Sequence, residues 1–190
     1  MANKDAPFGL KPIGKVGQNR DAQGLSEYAI AASSSAIYHG DPVKMADTGY
    51  IQVASANTDV LLGSLNGVFY TDSSTSKPTW ANYLAGSNAA TDIVGFISDD
   101  PYERFEVQSN NSGASAQTDF GNNADIAYTA GATPNYISKV ELDDASLVTT
   151  TAQLKIVGVS KDPDNSDLTA ANVNWVVTIN EHFLKATAGV

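Results

Sequence analysis

Four sets of residues in this chain have the types and spacing to do chemistry. Gly9-Leu10-Lys11-Pro12-Ile13-Gly14-Lys15 reproduces the glycine and lysine spacing of a phosphate-binding loop. Such a loop also needs a Ser or Thr after the lysine to hold magnesium, a strand before it, and a helix behind it to present backbone amides. Val16 stands in the Ser/Thr position, and Pro7 and Pro12 rule out a continuous helix, so the spacing is a coincidence within a Gly-rich stretch. Asp162-Pro163-Asp164-Asn165-Ser166-Asp167 gathers oxygen ligands of the kind hard cations use. It lacks the central Gly and terminal Glu of a calcium loop. An acidic turn explains it better, with a weak structural cation as the alternative.

Asp99, Asp100, Glu103 and Glu106 form a second acidic group. Paired carboxylates hydrolyse glycosidic bonds, but crowded charge also marks a solvated strand edge that resists unwanted pairing, and the edge is favoured. His39 and His182 are the only imidazoles. No Gly-x-Ser-x-Gly elbow links either of them to a serine and an acid, and two histidines cannot build a three-histidine zinc site. The absence of cysteine removes disulfides, zinc-thiolate sites and cysteine nucleophiles. No catalytic residue, metal site or cofactor is therefore expected, and the chain is read as a non-enzyme. Tyr28, Tyr38, Tyr50, Phe69, Tyr70, Trp80, Tyr83 and Trp175 are numerous enough to stack on sugar or single-stranded nucleic acid. A strand-built core also claims such residues.

Charge is distributed unevenly. Lys4, Lys11, Lys15 and Arg20 stand against Asp5 alone in the first twenty positions, whereas the whole chain has a formal charge of −10. That balance argues against nucleic acid as a partner, because phosphate contacts need a surplus of cations. No apolar run has the length of a secretory signal or a membrane span, which predicts a soluble protein made in its host's cytoplasm.

The elements follow from turn chemistry and period. Residues 1–24 read as an extended arm, since two prolines and four glycines interrupt any regular element, and Phe8, Leu10, Ile13 and Val16 are too sparse for a core. Such an arm must lie along another surface, either its own body or a neighbouring subunit. Residues 25–190 read as one β-rich body of short strands. These are Ser26–Ala31, Ala36–His39, Val43–Ala46, Tyr50–Ala54, Ile93–Ser98, Glu103–Gln108, Tyr136–Leu142 and a strand around Leu154 and Ile156. Asn66-Gly67 predicts a fold-back within Val60–Tyr70, and Trp80, Tyr83 and Leu84 suggest one helical turn within an otherwise loop-like 71–92. Residues 109–124 read as a loop. Val173, Trp175, Val177 and Ile179 share one face of a closing strand that is nearly apolar on both faces and so belongs at the centre of a sheet. The fold class is all-β: an antiparallel β-barrel or sandwich-like domain with an extended N-terminal arm and long loops.

Met1-Ala2-Asn3-Lys4-Asp5-Ala6-Pro7-Phe8-Gly9-Leu10-Lys11-Pro12-Ile13-Gly14, Gly40-Asp41-Pro42-Val43-Lys44 and Trp175-Val176-Val177-Thr178-Ile179-Asn180-Glu181-His182 resemble small virion structural proteins of tailed phages, the capsid decoration or cement proteins. The resemblance implies a β-rich protein that clamps the outside of an icosahedral capsid, commonly as a trimer, with its arm reaching onto major capsid protein subunits. Phe8, Leu10, Pro12 and Ile13 are then the expected anchors, and Lys4, Lys11 and Lys15 the expected partners of acidic groups on the capsid or on a neighbouring subunit. A symmetric oligomer would multiply weak contacts by avidity, about 10²–10⁴-fold. The alternative is a carbohydrate-binding surface module, with a hydrolase built on Asp99 to Glu106 a distant third.

Overall fold

The computed structural model describes residues 3–16, 24–110 and 115–185, so Arg20, Gly17 and the central part of the 109–124 loop lie outside the described residues. Thirteen strands follow one another in the chain: β1 (Lys11–Lys15), β2 (Ser26–Ala29), β3 (Pro42–Met45), β4 (Ile51–Val53), β5 (Gly63–Thr71), β6 (Pro78–Ala81) and β7 (Val94–Ser98). They continue with β8 (Glu103–Gln108), β9 (Asn123–Ala124), β10 (Ile126–Ala127), β11 (Glu141–Leu142), β12 (Leu154–Val159) and β13 (Asn174–Ile179). Three single 3-10 turns are the only helical elements among the described residues.

The strands form antiparallel sheets in a sandwich-like arrangement, so of the two expected architectures the closed barrel is excluded. One sheet has the order β1-β8-β13-β12-β9, and the other runs β2-β7-β5-β3-β4 with β6 paired to β5. β10 and β11 make a separate two-stranded ribbon.

β13 sits at the centre of its sheet, as its apolar sequence requires, flanked by β8 and β12. Val173, Trp175, Val177 and Ile179 are all buried, and Phe120 meets the Trp175 ring edge-on at 5.5 Å. The core behind this sheet also takes in Leu10, Phe105, Leu142 and Leu154. A second core, of Ile30, Ile37, Leu62, Leu65, Val68 and Ile97 among others, belongs to the sheet that contains β5 and β7.

Several elements differ from the sequence expectation. Asn66-Gly67 does not turn the chain: β5 runs straight through it, with a register shift between Leu65 and Gly67 against β7. Glycine is needed here for approach rather than for a turn, because a Cβ on Gly67 would stand 2.5 Å from Trp80 Cζ2. Trp80 accordingly lies in a strand, not a helical turn. β6 pairs back onto β5, with Phe69 opposite Trp80, and exposes a large indole that the polar sequence around it disguised. Ala36–His39 contributes only isolated bridges, Ile37 to Leu84 and His39 to Ile137. Of Tyr136–Leu142 only Glu141–Leu142 is a strand, and the 109–124 loop ends in β9.

The arm lies on its own body. Gly9 and Gly40, both with positive φ (77° and 84°), pass so closely that the Leu10 N–H donates to the Gly40 carbonyl at 2.9 Å. A Cβ on Gly9 would fall 2.3 Å from that carbonyl oxygen and 2.5 Å from Ser138 Cβ. Both strain and overlap oppose any side chain there. We expect Gly9→Ala to cost about 1–3 kcal/mol in chemical denaturation and to speed amide exchange at Leu10 and along β1 before the rest of the sheet. Unchanged exchange at Leu10 would show that the passage does not fasten the arm.

Candidate interaction site

β1 is the outermost strand of its sheet and holds most of the residues expected to meet a partner. It pairs with β8, Lys11 opposite Glu106 and Lys15 opposite Glu103, with an irregularity between Pro12 and Gly14 that leaves Ile13 unpaired. Such a bulge twists an edge and re-aims the residue it carries. Ile13 and Val16 are about half exposed, at 46% and 45%. Pro12 and Lys11 are exposed and Phe8 is partly covered, whereas Leu10 is fully buried in the core behind the sheet. In this conformation Leu10 holds the arm to its own body, and Phe8, Lys11, Pro12 and Ile13 face outward enough to meet another molecule.

The lysines already have partners within the chain. Lys15 Nζ lies 2.6 Å from Asp100, a short pair between largely covered side chains, and Lys11 reaches Glu106 at 3.6 Å. Lys4 and Asp164 are 3.7 Å apart with both side chains mostly exposed, a contact worth little in water. The Lys15 ammonium holds the Asp100 carboxyl below its ordinary range despite some burial, and the Tyr102 N–H adds to the effect. Lys11 also stands 6.0 Å from the centre of the Phe8 ring.

Residues before β1 are fixed by a set of buried amides that the sequence did not single out. Gln108 Nε2 and Asn165 Nδ2 both donate to the Lys4 carbonyl, at 2.9 and 2.8 Å, while Gln108 Oε1 accepts from the Ala6 N–H. Gln108 and Asn174 bond to each other, Asn174 donates to Glu106, and the Asn3 side chain bonds to the Asp167 main chain. The signal was available: a buried strand such as β13 has no use for Asn at its first position unless a polar group arrives to meet it.

The acidic groups are spent on structure. Asp99 accepts from Ser26 Oγ and Tyr28 OH, and burial together with that carboxylate holds the Tyr28 phenol far above its ordinary range. Glu103 is buried, accepts from the Gly14 N–H, and is pushed upward chiefly by that burial. The expected solvated edge is not found: Glu103 and Glu106 are buried on β8, which is paired on both sides by β1 and β13, and their charge is covered because the arm adds β1 as the outer strand. Asp162, Asp164 and Asp167 cap their own turn and tether the arm, and no three acids or histidines among the described residues are placed to hold a metal ion.

Three groupings account for both tryptophans and for the ring-to-ring contacts among the described residues, while Tyr28 and Tyr70 pack against the second core and Tyr50 is exposed. Trp175 is core. Tyr38, Tyr83 and Tyr136 form a ladder of near-parallel rings, with centroids 6.4 and 3.9 Å apart. Trp80, Phe69 and Phe96 share the outer face of the β6-β5-β7 layer, with Trp80 and Phe96 at 4.9 Å and the indole 55% exposed.

A cavity of about 510 Å³ lies on one side of β1, with Phe8, Leu10, Pro12 and Lys15 on one wall and His39, Ser64 and Leu65 on the other. These features define an all-β protein with a basic edge strand clamped to an acidic body. Comparison with protein-family models, curated proteins and solved structures returns no match.

His182 lies close to the Asp99-Asp100 turn that receives Lys15. Its Nδ1 accepts from the Leu184 N–H, and burial, with Lys185 nearby, pushes the imidazole from 6.5 down to about 4 against the pull of Asp99 and Asp100. Between those values the unfolded chain binds a proton the folded chain refuses, so the folded state gains stability as pH rises through that window and loses it as pH falls toward 4. Asp41, pushed up to about 6 by burial, and Glu141, pushed up to about 7, act in the opposite sense. The comparison of wild type with His182→Gln isolates the histidine. The melting-temperature advantage of wild type is expected to widen between pH 4 and 6.5 and then level off. Parallel curves would show an imidazole that titrates normally.

Proposed function

We propose that this protein is a non-enzymatic virion structural protein that decorates the outer surface of an icosahedral phage capsid and bridges major capsid protein subunits, acting as a homo-oligomer, most simply a trimer. The observation that carries this reading is β1: a basic, bulged edge strand, fastened from behind by Leu10 and the Lys4 clamp, that turns Pro12, Ile13 and Lys11 outward. An ordered edge loses less conformational freedom on binding than a loose arm, so its few contacts count for more. Lys11 and Lys15 can exchange Glu106 and Asp100 for acidic groups on a capsid or a neighbouring copy.

Removing the whole arm would test this reading poorly, since the deletion also takes Leu10 from the core. Ile13→Asp with Lys11→Gln changes two exposed side chains and sets no new charge against Glu106. We expect this variant to melt within a few degrees of wild type and to bind protein-depleted capsids at least about tenfold more weakly in co-sedimentation. Wild-type occupancy by the variant would remove β1 from the attachment surface.

The shelf of Trp80, Phe69 and Phe96 favours a second reading, a carbohydrate-binding surface. The indole lies over Gly67 with most of its area open, the posture that stacks against the apolar face of a sugar ring. A glycan array probed with wild type and Trp80→Ala tests it. Binding to a defined glycan that the substitution abolishes supports the reading, and a blank array removes it.

A further inference from the structure

We propose that the outer face of the five-stranded sheet is a docking groove for an acidic protein segment bearing aliphatic side chains. This goes beyond the capsid reading, because the chemistry of the groove is argued without reference to a particle.

The groove has a volume of about 660 Å³ and crosses four strands, from Ile13 and Lys15 on β1, over Arg104 and Glu106 on β8 and Val176 on β13, to Val157 on β12 and Lys161 and Asp162 beyond it. Three strand spacings make it roughly 14 Å wide, room for one polypeptide segment with its side chains. Its floor is apolar, with Val157 43% exposed and Ile13 46% exposed. The register shift between Ile156 and Gly158 lies in this floor, where Gly158 faces Val176 and adds no side chain.

The rim is cationic on a protein whose acids outnumber its bases by 21 to 11. Register places Lys155, Thr178 and Arg104 in one row across β12, β13 and β8, and Lys161 follows at the groove's end. Each of the four ion pairs among the described residues uses a different lysine: Lys4, Lys11, Lys15 or Lys44. Arg104 and Lys161 line the groove and Lys155 flanks it on the Arg104 row; none of the three has an acid within 4.0 Å among the described residues. The two acids that line the groove have partners of their own: Glu106 meets Lys11 and Asn174, and Asp162 caps its turn by accepting from the Asp164 N–H. With so many carboxylates on the chain, cations left without one along and beside a single groove form a surface whose complement is negative.

The apolar floor selects among anions. A nucleic acid would gain nothing from Ile13, Val157 and Val176, and the overall charge of −10 repels a long polyanion. A segment that alternates acidic and aliphatic residues satisfies both floor and rim.

The test titrates the isotope-labelled full chain with a short peptide alternating Glu and Val, a matched peptide alternating Glu and Ser, and a single-stranded oligonucleotide, following amide resonances. The Glu/Val peptide is expected to shift Val157, Val176 and Arg104, and to bind more weakly as salt rises. Arg104→Glu with Lys161→Glu is expected to weaken it at least about tenfold without lowering the melting temperature, since both side chains are exposed. Val157→Asp weakens it independently through the floor. The proposal is overturned by no binding, by shifts confined to another surface, or by equal or better binding of the Glu/Ser peptide or the oligonucleotide. It is also overturned if dilution shows that the same face is already covered by a second copy that the peptide does not displace.

Discussion

Everything about how the N-terminal arm lies on this molecule depends on two glycines passing at van der Waals limits. Gly9 and Gly40 bring two backbones together where neither tolerates a Cβ, and the hydrogen bond from Leu10 to Gly40 follows from that approach. From this point Leu10 enters the core behind β13, β1 takes its register on β8, and Ile13 is thrown outward by the bulge that follows. A steric permission therefore comes before the hydrophobic and ionic contacts. The contacts supply the stability, but the glycines decide whether they can be reached.

A second layer of fixing is polar and buried. Gln108 and Asn165 converge on a single carbonyl, that of Lys4, and Asn174 braces Gln108 from behind, so the segment before β1 is held by directional bonds and not by apolar area. Such a network is costly unless complete, because a buried amide without a partner forfeits its hydration. The arm supplies the missing acceptor, and so the body and the arm each satisfy a requirement of the other.

The sequence was most legible where a single period ruled. Val173 to Ile179 declared a central strand by being nearly apolar on both faces, and Phe105 and Val107 alternating with polar neighbours declared β8. Legibility failed where one residue type serves two ends. Asn66-Gly67 has the composition of a tight turn, yet Gly67 is there to let an indole lie across it, a need visible only once Trp80 is known to be opposite. Trp80 itself was hidden because β6 is exposed on one face and short, so its polar neighbours resembled a loop. For the interaction site, the arm and its exposed residues were readable from Pro, Gly and Lys spacing. The burial of Leu10 and the three-amide clamp were not, since they depend on partners about 30 to 160 positions away, and no local pattern encodes distance in space.

That separation also shapes how the protein comes into being. Lys11 finds its partner strand at Glu106, and the Lys4 carbonyl is completed only by Asn165, close to the end of the chain. At synthesis rates of about 5–20 residues per second, β1 leaves the ribosome several seconds before its neighbour β8 and longer still before its clamp at Asn165. The β2–β7 layer, whose contacts close within residues 26–98, can condense in the meantime. The arm is thus older than the residues that fix it and settles after the layer that follows it, a piece of high contact order attached to a more locally folding remainder.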